Sequence, residues 1–355
     1  MALLWAIMRK FTCLKAILPL FIVLLCLTAL TVNVQSASWK WNKVPIPNDA
    51  SVVALGMINS TDGWAVGANG SIINWDGTSW TNIASPTTAN FKSVDMVSQN
   101  EGYAIAFENF GVHGLPHSIF RWDGTSWTNL TVLNPIESID MVSSSDGWVV
   151  GPSGRIFRWD GTCWSRVEGP INNPLESVDM VSSTDGWAVG RRGAILHWDG
   201  TSWNVVESPK ILTYRTSWSV DMVSSTDGWA VGDSGIIIRW DGSNWENVTS
   251  PTTKHLFSVD MINSTDGWAV GSDGCIIHWD GTNWRNMTSP TTAWLKTVDM
   301  ISSTDGWIVG ADGNIYHLQE EEAPFIPADY LLIIVGVAVT AIIGAASYWA
   351  LRKRK

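Results

Sequence analysis

Residues 258–287 read SVDMINSTDGWAVGSDGCIIHWDGTNWRNM, and this stretch decides the fold. It breaks into four short runs rich in Val, Ile and Trp, at residues 258–262, 267–271, 275–279 and 284–287, separated by Ser, Thr, Asp and Gly. Short β-branched and aromatic runs bounded by turn formers are strands. Asp280-Gly281, between the third and fourth runs, is a tight-hairpin signal because glycine supplies the positive φ that such a turn needs. No window carries a 3.6-residue apolar period, so helical repeats are excluded.

Working outward, Asp-Gly-Trp recurs at Asp62, Asp146, Asp185, Asp227, Asp266 and Asp305, with a variant copy at Glu101-Gly102-Tyr103. The successive intervals are 39, 45, 39, 42, 39 and 39 residues. Four antiparallel strands in about 40 residues make a propeller blade, so seven copies predict an all-β, seven-bladed β-propeller. The ends bear on how the ring closes. Trp80, Trp164 and Trp284 each precede the next repeat's acidic residue by 21 positions, and Trp41 precedes Asp62 by the same 21. Residues 41–44 are thus a fourth strand with no blade before it, while the last unit runs to Leu318 without its own Trp-Asp-Gly turn. The expected solution is an N-terminal strand that completes the C-terminal blade and removes the free edges of an open array.

Composition agrees with a packed body. Of 355 residues, 45% are hydrophobic and only 15% are charged, which excludes a disordered chain. The net charge of −11 hides a division: 7 of the 22 basic residues are Arg9, Lys10, Lys15 and residues 352–355, whereas all 33 acidic residues lie between Ala37 and Asp329. The body therefore carries about −18, which argues against nucleic acid as a partner. Residues 1–36 read as a secretory signal peptide: a basic stretch, an apolar run, then Val34 and Ser36 at the −3 and −1 positions, with an uncleaved anchor as the alternative. Residues 331–351 are uncharged and long enough for one transmembrane helix, followed by a basic tail at residues 352–355. The positive-inside rule places that tail in the cytoplasm and the body outside. The organisation expected is signal peptide 1–36, propeller ectodomain 37–318, acidic and Pro-containing stalk 319–330, transmembrane helix 331–351 and cytoplasmic tail 352–355, in a single-pass cell-membrane protein.

The pattern GWAVG-x-x-G-x-I-x-x-W-D-G-T-x-W, as in residues 267–284, resembles the repeat of the photosystem II assembly and stability factor propellers. It is similar, more loosely, to the BNR or Asp-box repeats of sialidase-like and sortilin-like proteins. The resemblance spans about residues 39–318 and implies a seven-bladed propeller with a protein-docking surface. Two departures stand beside it. This body is acidic where those relatives use a basic face, and Trp-Asp-Gly-Thr-Ser-Trp replaces the family's Asp-Gly-Gly-x-Thr-Trp turn. No individual residue role carries over.

Three aromatic sets repeat: Trp64, Trp148, Trp187, Trp229, Trp268 and Trp307; Trp75, Trp122, Trp159, Trp198, Trp240 and Trp279; and Trp80, Trp127, Trp164, Trp203, Trp245 and Trp284. Identical copies in every blade point to inter-blade packing rather than to sugar-stacking platforms. Trp218 and Trp294 lie outside the pattern, in connectors. Asp95, Asp140, Asp179, Asp221, Asp260 and Asp299 fall on the innermost strand. They could ring the central channel as oxygen ligands for a cation, but the favoured role is accepting hydrogen bonds from a neighbouring blade. The Ser-Thr-Asp-Gly turns lack calcium-loop spacing. His197, His278 and His317 share one repeat position with Arg121, Arg158 and Arg239, which suits a structural pair with the repeated Asp. Sialidase chemistry needs an Arg triad, a Tyr nucleophile and an acid, and the turn lacks the S-x-D-x-G-x-x-W box, so no catalytic residue, cofactor or metal is assigned. Cys163 and Cys275 fall in blades three and six and are expected to be unpaired. Sequons at Asn59, Asn69, Asn129, Asn247, Asn263 and Asn286 are candidate glycosylation sites.

The functional signal lies where the repeats stop matching. Turns between first and second strands, and between third and fourth, are nearly uniform and share one face. The other face varies, and irregular loops on a rigid scaffold carry function. It bears an eight-residue insertion near residues 107–114 that includes His113, a three-residue insertion near residues 208–218 with Tyr214, Arg215 and Trp218, the basic turn Arg191-Arg192, and connectors with Phe91, Lys254, His255 and Trp294. The reading is a monomeric, surface-anchored, non-catalytic binding or scaffold module for an extracellular protein or glycan. The alternative is an extracellular sialidase-like glycoside hydrolase or lyase.

Overall fold

A computed structural model of the chain describes residues 38–47, 50–107, 117–133, 135–209 and 218–321. The signal segment and the transmembrane segment lie outside the described residues. Among the described residues no helix is long and apolar enough to cross a membrane. Residues Lys40–Gln319 form one compact unit.

That unit is a seven-bladed propeller: seven antiparallel sheets of four strands each. Blade six shows the plan, with Leu256–Asn263 innermost, then Asp266–Gly271, Ile276–Trp279 and Trp284–Asn286 in order outward. First strands pack against first strands around the ring, with Val52–Asn59 of blade one meeting both Asn90–Ser98 of blade two and Leu295–Ser302 of blade seven. The seventh sheet combines Leu295–Ser302, Asp305–Gly310, Ile315–Glu321 and, at its outer edge, Ser38–Val44. Asn42 Nδ2 donates to Gln319 Oε1 at 2.9 Å, and buried Trp41 meets Trp268 edge to face, ring centres 5.4 Å apart. The third strand of this blade reaches Glu321, so strand structure extends into the segment 319–330 expected as stalk.

The repeated tryptophans form the joints between blades. Trp148 of blade three lies 4.7 Å from Trp198 and 5.3 Å from Trp203 of blade four, the second contact near perpendicular. The same triad joins Trp64 to Trp122 and Trp127, Trp187 to Trp240 and Trp245, Trp229 to Trp279 and Trp284, and Trp307 to Trp75 and Trp80. Offset and edge-to-face indoles add about 0.5–1.5 kcal/mol per pair to the area they bury. In the second set each indole N–H donates to a turn carbonyl, as Trp159 Nε1 does to Ser144 O at 3.0 Å. The first and third sets have no oxygen acceptor and rely on ring-to-ring contact.

The rest of the motif serves the same joints. The acidic residue of each Asp-Gly-Trp binds the side chain at the shared third-strand position: Asp146 with Arg158 at 2.9 Å, Asp227 with Arg239 at 2.8 Å, Asp185 with His197 at 2.7 Å and Asp305 with His317 at 2.7 Å. Those partners also cover the blade's own Trp, as His317 stacks on Trp307 at 4.0 Å. The motif glycine faces the first-strand Met, and a Cβ on Gly147 would lie 2.2 Å from Met141 Sδ. Cys163 and Cys275 are both free, the first exposed and the second buried.

Candidate functional site

The hydrogen bonds define two faces. On one, the third-to-fourth strand turns repeat a single geometry: Asp76 Oδ1 accepts from the backbone N–H and hydroxyl of Thr78 and from the N–H of Ser79, at 2.7–2.8 Å, and Gly77 takes φ 90°. The donors hold the Asp76 carboxyl down at about 2, and Asp123, Asp160, Asp199 and Asp280 are lowered in the same way. On this face the turn carboxylates are committed to their own turns.

The opposite face is built from second-to-third strand turns and the connectors between blades. They are tied together: Ala68 N–H donates to Ser51 O, Arg191 N–H to Pro174 O, Ser272 N–H to His255 O and Ala311 N–H to Trp294 O, at 2.7–2.9 Å. These bonds show that Ser51, Pro174, His255 and Trp294 are equivalent connector positions, so the backbone is constant where the side chains differ most.

One step into five of the seven innermost strands the pairing register shifts, between Val52 and Ala54, Phe91 and Ser93, Leu175 and Ser177, Leu256 and Ser258, and Leu295 and Thr297. A bulge inserts one residue that opposes nothing on the partner strand and re-aims its side chain. The inserted residues are Val53, Lys92, Glu176, Phe257 and Lys296, and Glu137 stands at the same place in blade three. Neighbouring members meet around the channel mouth. Lys92 Nζ pairs with Glu137, and Lys296 Nζ lies 4.9 Å over the Phe257 ring. Burial raises the Glu176 carboxyl, while Arg191 beside it pulls the other way.

The residues singled out from sequence distribute as follows. Arg191 Nε donates to Glu176 Oε1 at 2.5 Å. Arg192 is exposed at φ 62°. Lys254 Nζ donates to Asp273 O at 2.8 Å, and His255 Nδ1 lies 3.0 Å from Asp233 Oδ1. His255 stacks parallel to Phe257, which in turn meets Trp294 at 5.5 Å. The structure therefore brings His255 and Trp294 together through Phe257, and groups Arg191 with Glu176 in blade four. Trp218 opens the first strand of blade five, Trp218–Ser224, instead of lying in a connector. Phe91 is not a surface residue: it is 1% exposed and packs on Phe120 at 5.4 Å. A bulky apolar residue at the head of an innermost strand is core, and the neighbouring inserted Lys92 takes the mouth position. His113, Tyr214 and Arg215 lie outside the described residues. Of the sequons, Asn69, Asn129, Asn247, Asn263 and Asn286 are exposed and Asn59 is half-buried. Asn286 Nδ2 already donates to Pro251 O at 3.0 Å.

Below the mouth, each innermost-strand Asp reaches the next blade. Met57 N–H donates to Asp299 and Met261 N–H to Asp221 at 2.8 Å, and the Met141, Met180 and Met222 N–H groups donate to Asp95, Asp140 and Asp179 at 2.6 Å. Met300 N–H bonds to Asp260 in the same way. In blade one Gly56 occupies this place, pairing with Trp64 as Asp95 pairs with Tyr103. Burial pushes Asp95 and Asp299 up to about 6, Asp179 to about 7 and Asp260 to about 8, and facing carboxylates add to the shift of Asp95, Asp179 and Asp260. Asp140 and Asp221 are raised as well. Six acids that each accept a backbone hydrogen bond and share protons form an inter-blade seam. Among the described residues no group of three or more His, Cys, Asp or Glu is placed to hold a metal ion.

Sequence reasoning missed Lys92, Glu137, Glu176, Phe257 and Lys296. The signal available was their variation at one position, just before the near-constant Ser-Val-Asp-Met.

No family model matches the chain, and no curated protein matches it by sequence. Solved structures do match. A structure of YCF48 bound to D1 peptide covers 81% of this chain and 97% of its own, at TM-score 0.64 and 18% identity. YCF48 from Cyanidioschyzon merolae covers 81% and 100%, at TM-score 0.62 and 19% identity. The WD40 β-propeller domain of Doa1 covers 81% and 98%, at TM-score 0.62 and 12% identity. At these identities the likeness is one of fold.

Proposed function

We propose that this chain is a non-catalytic binding scaffold, held at the cell surface by its C-terminal helix, that captures an extracellular protein on its variable face. The observation that carries the reading is the division between faces. One is a set of near-identical turns whose side chains are consumed by their own geometry, and the other sets different side chains on a constant hydrogen-bonded frame. A rigid frame with variable loops is the arrangement of a recognition surface. Two fold relatives support a protein partner: one was solved with a peptide bound, and another is a WD40 propeller. The non-catalytic reading rests on the charged groups. The repeated Asp, Arg and His are matched to one another within each blade and sit on Trp rings, with no nucleophile and base converging among the described residues.

Strand Ile315–Glu321 runs from the variable face to the turn face. The N-terminal strand in the seventh sheet latches the ring in this reading, and exposed sequons on the outer strands carry glycans.

Alanine at Arg191, Arg192, Tyr214, Arg215 and Trp218 together is expected to abolish capture of the partner from envelope extracts while the chain stays folded, read as an unchanged circular dichroism spectrum at 25 °C. Retained capture by that variant would remove this face from the proposal.

A further inference from the structure

We propose that the channel mouth at blades six and seven binds an acidic pyranose, a uronic acid or a related carboxylated sugar. The site is Trp294, Phe257 and Lys296. Bulges in Leu256–Asn263 and Leu295–Ser302 insert Phe257 and Lys296 on adjacent blades. The Lys296 ammonium lies 4.9 Å from the Phe257 ring centre and 5.0 Å from that of Trp294. Trp294 is 48% exposed and is the one aromatic among the exposed large hydrophobic residues described. Its backbone is fixed by the bond from Ala311 N–H, so the indole stands on a firm base.

Charge identifies the ligand as an anion. Two other cations beside the inserted positions are matched by carboxylates, Lys92 by Glu137 and Arg191 by Glu176, and Lys254 on the neighbouring connector bonds the Asp273 carbonyl. Lys296 makes no ion pair among the described residues, and its ammonium lies over two aromatic rings. Ring quadrupoles offset part of the cost of a half-buried ammonium, and a carboxylate would offset more. Burial holds the Lys296 amine below its usual value, in keeping with a missing counter-charge.

The backbone argues for a sugar over an extended acidic peptide. A peptide adds to a sheet through free strand amides. Below the bulges the channel-side amides of these strands are taken: Val298 N–H bonds to Ser258 Oγ at 3.2 Å, Val259 N–H to Ser219 Oγ at 3.4 Å, and Met300 and Met261 N–H to Asp260 and Asp221. Recognition is left to side chains. An acidic pyranose carries a flat C–H face for Trp294 and a carboxylate for Lys296 on one rigid ring, so both contacts form with little ordering cost. The site shares the variable face with the protein-binding reading but none of the five residues in that test, so either can fail alone.

The test is calorimetric titration of the full-length chain in detergent with trigalacturonate, maltotriose as the neutral control, and a tetra-glutamate peptide. Trigalacturonate is expected to bind and maltotriose to show no heat. Lys296→Gln should weaken the acidic sugar at least tenfold, Trp294→Ala should abolish binding, and Lys43→Gln on the outer N-terminal strand should change nothing. Lys296→Arg, which keeps the charge, should retain binding and guards against a folding defect. Equal binding of both sugars, unaltered binding by Lys296→Gln, binding of tetra-glutamate alone, or no binding of trigalacturonate would each overturn the proposal.

Discussion

Arg192 occupies the left-handed region at φ 62°, where the equivalent turns place Asn69, Ser153, Ser234 and Asp273. Asn tolerates this conformation because its short amide bonds locally, whereas a long side chain there costs about 1–2 kcal/mol. Arg192→Asn is therefore expected to raise unfolding stability by about 1 kcal/mol, read as a higher midpoint in urea. A residue that accepts such strain on the variable face fits a role in binding, and the same variant should bind the partner more weakly. The Trp joints run the other way. Trp148 is fully buried between Trp198 and Trp203, and Trp148→Ala should cost about 3–5 kcal/mol, measurable in the same titration. The two roles were unequally legible in the sequence. The Trp periodicity exposed the joints directly, because a side chain repeated in every blade has one environment. Lys296 and Phe257 were invisible as a pair, because they are 39 positions apart and meet only when two bulges aim them at each other.

At the scale of the element, the N-terminal strand Ser38–Val44 covers the third strand of blade seven and buries Trp41 against Trp268. Removing residues 38–44 would uncover a strand edge with free N–H and C=O groups, which invites pairing with another chain. The deleted protein is expected to unfold at lower temperature and to elute as dimers and larger species in size-exclusion chromatography. An unchanged midpoint and a monomeric profile would show that the strand is not a latch. The 21-residue spacing pointed to this strand from sequence, since Trp41 repeats the position of Trp80 and Trp284. Strand ends were less legible. Ile315–Glu321 runs into acidic residues that read as stalk, because hydrogen bonding to a neighbouring strand outweighs composition at a sheet edge.

For the whole molecule, the ring of channel carboxylates sets a pH response. These groups have folded values raised to about 6 for Asp95 and Asp299, about 7 for Asp179 and about 8 for Asp260, against an ordinary 3.8. A raised carboxylate favours folding while protonated, so its contribution is complete below about pH 4 and is lost as pH rises through 6 to 8. The turn carboxylates act in the opposite sense and lose their contribution as pH falls from 4 towards 2. Stability should therefore peak near pH 4, with the thermal midpoint falling between about pH 4 and 8. Asp260→Asn keeps an oxygen to accept the Met300 N–H and removes a charge from the seam. It should raise the midpoint at pH 8 by about 2 °C or more and leave it little changed at about pH 4. A flat midpoint across that range in the parent protein would show that the ring does not share protons as described.

The number of blades, the role of the repeated tryptophans and the identity of the variable loops are all legible in the chain's repeat pattern. Each follows from a period of about 40 residues, and a period is a local property that needs no coordinates. Which variable residues meet was settled by packing between blades. Phe91, in a variable stretch, turned inward to Phe120, while Lys92 beside it reached Glu137 in the next blade. The physical reason is that a bulge changes the direction of one side chain without changing the spacing of the motif. The closing of seven sheets into a ring then sets residues from different repeats around one mouth.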